Sequence, residues 1–413
     1  MKKMRKFAAL VLTVCMTVGL AACGAKSEET PAAAKEASAD IQTESAGGDT
    51  YKIGMYQVMS GANAIYGEEA LNALNMVVDE INSRGGLNGA KVEVVVYDDQ
   101  GSPEEAVKAV TKLINVDKID ACISSCVSSC ILASAGALND AKIITFGTGL
   151  SPTYMNQGWD YVFRACVNSD FVAPLTVDLA KDLNVTNVAI FRGQDESAIA
   201  TAKTFASTCE ANGLSVVTEE AYNEGDSDFS GQITKIMNSG ADAVFMSTVG
   251  ATYGVFIKQL RQYGFEGIIL NKEALPSDAV QVAGEAADYV AFSAPYLTYA
   301  SVEECDDPNI KEFLTKYQEK FGTIPATDCA YRVYDSLIVL REAAEKAGTN
   351  EHEAVKNAVN QISGLQGLGG VLDYTDGSGE GLHNFKEFIR VDGKNVLLKE
   401  WMESDAYAAW QAK

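Results

Sequence analysis

Three short stretches carry side chains suited to holding a small charged ligand. The first is Cys126-Val127-Ser128-Ser129-Cys130, which follows an apolar run and opens a helical pattern. Ser128 falls at a helix N-terminus, where its hydroxyl and the free backbone N–H groups can hold an anion. The plainer reading is that Ser128 only caps its helix. The second stretch is Gly147-Thr148-Gly149-Leu150-Ser151-Pro152, again just after an apolar run. Small hydroxyl residues in such a loop offer donors and carbonyls to a polar ligand, or simply make a turn. The third is Asn271-Lys272-Glu273, in which Glu273 either accepts hydrogen bonds from an ammonium group or sits in solvent. An anion-holding helix start opposite a lone carboxylate is what a zwitterion requires. Arg192 and Asp195, in Phe191-Arg192-Gly193-Gln194-Asp195-Glu196-Ser197, either meet a polar ligand side chain or occupy a surface loop.

Residues for catalysis are scarce. There are two histidines, His352 and His383, too few to make imidazole acid–base chemistry attractive, and no G-x-S-x-G elbow. Cys122, Cys126 and Cys130 invite a zinc reading, but without partnering histidines they read better as small buried residues. The chain is therefore expected to be no enzyme and to need neither metal nor cofactor. A net charge of −23 without a basic patch also argues against nucleic acid.

The elements that must position these residues alternate along the chain. Residues 51–57, 91–97, 121–124 and 142–146 read as strands, with helices over 66–84, 103–115 and 128–140 between them. On the first helix Ala70, Leu74, Val77, Val78 and Ile81 share one face, and Gly85-Gly86 ends it. The pattern restarts with strands at 188–191, 215–221, 243–247 and 267–271 and helices at 197–211, 229–239 and 252–263. A strand at 289–294, helices at 308–321 and 327–347, and short strand-like runs near Val371, Phe388 and Val396 complete it. Such βαβ units form parallel sheets covered by helices on both faces. Two of them side by side leave a cleft at the carboxyl ends of their strands, where the three stretches above fall.

The N-terminus is of another kind. Lys2, Lys3, Arg5 and Lys6 precede an apolar run over 7–20, then Leu20-Ala21-Ala22-Cys23. This reads as a bacterial lipoprotein signal peptide, residues 1–22, with Cys23 lipidated as the new N-terminus. Residues 23–50 read as a flexible tether. Removal of Cys15 and lipidation of Cys23 leave seven of nine cysteines, an odd number that cannot all pair within one chain. No later stretch approaches the roughly 18 apolar residues of a membrane span, so the membrane is met only through the lipid. The expected location is extracytoplasmic, with the acidic tether and unpaired thiols favouring a Gram-positive surface over a periplasm.

From Tyr51 onward the chain resembles the branched-chain amino-acid substrate-binding proteins of ABC transporters. The residues that carry the resemblance are Lys52-Ile-Gly, Met59-Ser-Gly, Tyr66-Gly, Ala73-Leu-Asn-Met, Tyr97-Asp-Asp, Val127-Ser-Ser, Phe163-Arg, Asp228-Phe-Ser and Leu260-Arg. The run Glu80-Ile-Asn-Ser-Arg-Gly-Gly-Leu-Asn-Gly is the most specific of them. The resemblance implies a type I periplasmic-binding-protein fold, α/β, with two Rossmann-like lobes holding parallel sheets joined by a three-segment hinge. Its implied lobes are 51–167 plus 295–370 and 168–294 plus 371–413, with crossings near 164–168, 294–295 and 370. Ser128, with Ser129 beside it, resembles the family's carboxylate-binding serine, and Thr148 and Gly149 its serine/threonine loop. Glu273 resembles the ammonium-binding acid and Tyr66 the wall tyrosine. Where leucine-binding members often carry tyrosines, this chain has Ser197 and Val249. The resemblance implies a monomer that binds an amino acid, branched-chain by default, and delivers it to a permease and its ATPase. Another polar amino acid, an amide or a urea-like solute, or a sensing role for a membrane receptor, are the alternatives.

Overall fold

The computed structural model describes residues 50–411 apart from 62, 195, 224, 249–251, 300 and 384, and only the backbone of 196, 197, 277 and 278. The first strand, β1 (Thr50–Gln57), is an apolar run buried almost throughout, as a central strand covered on both faces must be. It is followed by α1 (Ala64–Ser83), β2 (Lys91–Asp98), α2 (Pro103–Lys112), β3 (Ala121–Ile123), α3 (Ser128–Asp140), β4 (Ile144–Phe146) and β5 (Val162–Phe163). The five strands form one parallel sheet in the order β2-β1-β3-β4-β5. The turn after α1 needs its second glycine. Gly86 has φ 83°, its N–H bonds Ile81 O at 3.0 Å, and a Cβ there would lie 2.0 Å from Ala90 O.

A second run follows: α4 (Val172–Asp182), β6 (Asn187–Arg192), α5 (Glu196–Ala211), β7 (Ser215–Ala221), α6 (Ser230–Asn238), β8 (Ala243–Ser247), α7 (Thr252–Gln262), β9 (Ile268–Asn271), α8 (Ser277–Ala283) and β10 (Val290–Ala294). Three helices then return to the first sheet: α9 (Pro308–Phe321), α10 (Cys329–Ala347) and α11 (His352–Val359). Their buried residues share a core with α1, including Leu74, Ile81, Phe313, Leu337 and Val355. A small hairpin, β11 (Leu365–Gln366) and β12 (Val371–Leu372), comes next. The chain ends with β13 (Lys386–Val391), β14 (Lys394–Leu397), α12 (Leu398–Met402) and α13 (Asp405–Gln411). The second sheet has the order β14-β13-β10-β9-β8-β6-β7.

Two expectations need correction. β13 and β14 run antiparallel to their neighbours, so the second sheet is not wholly parallel. β13 comes back from the first lobe to pair with β10, and a tight turn at Asp392-Gly393 joins it to β14, a connection that only antiparallel strands allow. The third crossing is not at Gly370. Gly367 N donates to Gly370 O at 2.8 Å, so the glycines close the β11–β12 hairpin instead. Leu372, Tyr374 and Leu382 lie in the first core, while Lys386 already pairs with Ala294 in the second sheet. The crossing therefore falls between Leu382 and Lys386.

The first and third crossings are clasped together. Arg164 is fully buried, and its N–H and C=O bond Gly379 O and Gly381 N, each at 2.8 Å. Its Nε donates to Glu380 Oε2 at 2.7 Å and its Nη2 to Glu380 Oε1, while Nη1 donates to Ser151 O at 2.9 Å.

Candidate functional site

A cavity of about 750 Å³ opens between the two sheets. Tyr66 of α1, Ser151 and the segment 326–328 form its wall on the first sheet's side. Val172, Ala173, Leu175 and Thr176 of α4, Thr201 and Thr204 of α5, and Lys272–Ala274 after β9 form the other wall. Residues of the crossings, among them Val167, Ala294, Pro295 and Phe385, line its back.

Of the residues singled out from sequence, Tyr66 and Glu273 line this cavity together. Tyr66 is 37% exposed, and its phenol is pushed up by burial and then by Cys329 and Asp328, so it stays protonated and able to donate. Glu273 is exposed, near Lys272 Nζ at 3.5 Å, and Tyr253 Oη donates to its Oε1 at 3.5 Å. Burial and Glu273 hold the Tyr253 phenol well above its ordinary value, so it remains a donor. Beside them Asn271, fully buried, donates from Nδ2 to Glu273 O at 2.8 Å and fixes the turn that carries the carboxylate.

Ser128 stands one layer back. It opens α3 without capping it, and its Oγ accepts from Ser151 N at 3.1 Å. Gly149 allows this approach, since a Cβ there would lie 2.5 Å from Ser128 Oγ. Ser129 is exposed and lies outside the cavity lining. Thr148 turns its hydroxyl into the core, donating to Ser124 O at 2.9 Å and accepting from Gln57 Nε2 at 3.2 Å. The Gly149 carbonyl is taken by Tyr154 Oη at 2.6 Å. The loop thus serves the cavity through Leu150 and Ser151 rather than through Thr148 and Gly149. Arg192 donates from Nε to Glu219 Oε1 at 2.5 Å and does not line the cavity. The side chain of Ser197, and Cys23, Asp195 and Val249 altogether, lie outside the described residues.

The sequence reading missed Asp328 and Arg332. Asp328 precedes α10, and Arg332, one turn on, is 8% exposed yet lines the cavity. Its Nε donates to Asp328 Oδ2 at 2.9 Å, its Nη2 to the same oxygen, and its Nη1 to Thr148 O at 3.0 Å. Burial is the largest influence and works against this charge, but Asp328 together with the other groups around it more than offsets burial and keeps the guanidinium protonated. The nearby Cys126 thiol is held below its ordinary value by a hydrogen bond with Cys329, against the effect of burial, with Arg332 adding to the lowering. Glu69 of α1 fixes the segment before α10, accepting from Ala326 N at 2.6 Å and Thr327 N at 2.9 Å.

A cavity at the carboxyl ends of two α/β sheets, reached by both, is the layout of a two-lobed receptor. The family model described as periplasmic binding protein matches residues 50–393. The chain belongs to the periplasmic binding protein family. Among relatives of this periplasmic binding protein is the Leu/Ile/Val-binding protein homolog 3 of Brucella melitensis, 24% identical over 351 residues, 84% of this chain and 93% of that protein. Another is the leucine-, isoleucine-, valine-, threonine-, and alanine-binding protein of Pseudomonas aeruginosa, 25% identical over 314 residues, 75% of this chain and 82% of that protein. These relatives are binding proteins and not enzymes. A branched-chain amino acid transporter substrate-binding protein of Streptococcus pneumoniae, solved with isoleucine, shares the fold. Its TM-score is 0.65 at 24% identity, over 84% of this chain and 98% of that one. So does a solute-binding protein of R. palustris solved with benzoate, with TM-score 0.65 at 19% identity over 84% and 95%. One fold therefore holds quite different solutes. The family is extracytoplasmic, and among the described residues no helix is long and apolar enough to cross a membrane.

Proposed function

We propose that this protein captures an amino acid in the cavity between its lobes and delivers it to the permease of an ABC importer. The observation that carries the reading is that Tyr66 of the first lobe and Glu273 of the second line one cavity, with a crossing of the chain behind them. Glu273 receives the ammonium group. The hydroxyl of Ser151, on the loop held by Ser128, receives the carboxylate. Residues 51–163 with 296–382 make the first lobe, and 172–294 with 386–411 the second. A ligand that touches both lobes favours the closed form by its differential affinity alone. The names of the relatives support an amino acid as the ligand class. The chain works as a monomer, tethered outside the cell through a lipid on Cys23.

The test is thermal unfolding of the full-length protein, first unfolded and refolded to remove carried ligand, against the twenty amino acids. A ligand at 100 times its Kd adds about 2.7 kcal/mol to the folded state. A rise in Tm with one or a few amino acids is expected. No rise with any of the twenty refutes the reading. Loss of membrane fractionation in a Cys23→Ala chain tests the anchor.

A further inference from the structure

Resting on the reading that the cavity holds an amino acid, we propose that Asp328 and Arg332 form a side-chain subsite for a primary carboxamide. The ligand is then glutamine or asparagine rather than a branched-chain amino acid. Both residues line the cavity, and the Arg332 side chain is only 9% exposed. Arg332 Nε and Nη2 both donate to Oδ2 of Asp328, and Nη1 donates to Thr148 O. A guanidinium has five N–H groups, so two are left over, and Oδ1 of Asp328 lies outside the pair. The spare donors and the spare acceptor thus belong to two hydrogen-bonded side chains that both line the cavity. A carboxamide matches them, because its C=O accepts from Arg332 and its NH₂ donates to Asp328 Oδ1. A carboxylate offers acceptors only and would be repelled by Oδ1. An aliphatic side chain would desolvate the pair and return no hydrogen bond.

Two further observations agree. The charged side chains of the cavity are Asp170, Lys272, Glu273, Asp328 and Arg332, an excess of one negative charge that disfavours an anionic ligand. The Ser293 and Tyr296 hydroxyls, both on residues that line this cavity, are buried without a hydrogen-bond partner. Such groups are costly in a cavity built for a wholly apolar side chain.

The experiment is isothermal titration of the refolded full-length protein with glutamine, asparagine, glutamate, leucine, isoleucine and valine. The same titrations are made on Asp328→Asn and Arg332→Lys. Arg332→Lys keeps the charge but loses the planar fork. Asp328→Asn guards against a lysine variant that fails to fold. Glutamine or asparagine is expected to bind at least about tenfold more tightly than the other four, with that preference lost in either variant. Preference for leucine, isoleucine or valine, or for glutamate, overturns the subsite while leaving amino-acid capture intact. An unchanged amide preference in Asp328→Asn overturns it as well. Binding of no amino acid overturns the amino-acid reading itself, and the subsite with it.

Discussion

The clasp between Arg164 and Glu380 ties the first crossing to the segment that leads into the third, and removing one partner should be costly. Arg164 is fully buried and Glu380 is 7% exposed. In Arg164→Met the Glu380 carboxylate keeps the donor Asn168 Nδ2 at 2.9 Å but loses its counter-charge. Stranding one charge of a buried pair costs about 3–5 kcal/mol. The Ser151 carbonyl loses its donor as well, worth about 1 kcal/mol. A loss of about 4–6 kcal/mol is expected, read by urea unfolding followed by circular dichroism with linear extrapolation. The decisive comparison is the double variant Arg164→Met with Glu380→Met. With both charges gone nothing buried is left uncompensated, so the double variant should be more stable than Arg164→Met alone. A cost for Arg164→Met below about 1 kcal/mol, or a double variant that shows the sum of the single losses, would refute the argument.

Three other outcomes follow from the geometry. Gly149→Ala places a Cβ 2.5 Å from Ser128 Oγ and 3.1 Å from Ser128 Cα, so it should destabilise by about 1–3 kcal/mol and shift Ser151; unchanged thermal unfolding and ligand affinity would count against that packing. Glu69→Gln leaves one acceptor for three donors, the Ala326 and Thr327 N–H groups and the Thr327 hydroxyl, and should cost about 1–3 kcal/mol. It should also speed hydrogen exchange at Ala326 and Thr327, and unaltered protection there would exclude the role. Burial raises the Asp335 carboxyl to about 7, although Leu368 N and Gly369 N donate to it at 2.7 and 2.9 Å. The folded state holds that proton more tightly than the unfolded one, so the associated stability is complete below about pH 4 and is lost as pH rises through about 7. The stability of the native protein relative to Asp335→Asn should therefore fall by a few kcal/mol between pH 4 and 8, and a flat difference would be the contrary result.

How much of this was legible in the sequence varied with the range of the forces involved. Most strands of both sheets could be read because they are short runs rich in apolar or β-branched residues between turn residues, such as 243–247, whereas the two-residue β5 was not. Helix α4 escaped because Pro174 looks like a breaker, whereas it sits in the first turn, where no intrahelical N–H is required. Gly369-Gly370 looked like a linker because a hairpin and a hinge draw on the same residue. Tyr66 came from the family resemblance and Glu273 also from its place after β9, and both line the cavity. Thr148 was misread because loop residues one apart face opposite ways, and only packing against Gln57 and Ser124 decides which one turns inward. Asp328 and Arg332 left no signal at all. An acid and an arginine four residues apart on a helix usually form a solvated pair, and it is Thr148 and Tyr296 from elsewhere that bury this one.

The return of α9, α10 and α11 to the first sheet also sets the order in which the chain can fold during synthesis. Leu74, Val77 and Ile81 of α1 are made early, yet their packing partners Val333, Leu337 and Leu340 come more than two hundred residues later. The hydrogen bond from Ala326 N to Glu69 spans 257 residues. A nascent chain therefore carries one uncovered apolar face of its first sheet until residues 172–294 of the second lobe have been made. Such a face is an aggregation hazard and a natural surface for holding factors. Any truncation before α10 should leave that face permanently open, so insolubility of shortened chains would trace to the first lobe, although the missing residues lie hundreds of positions downstream.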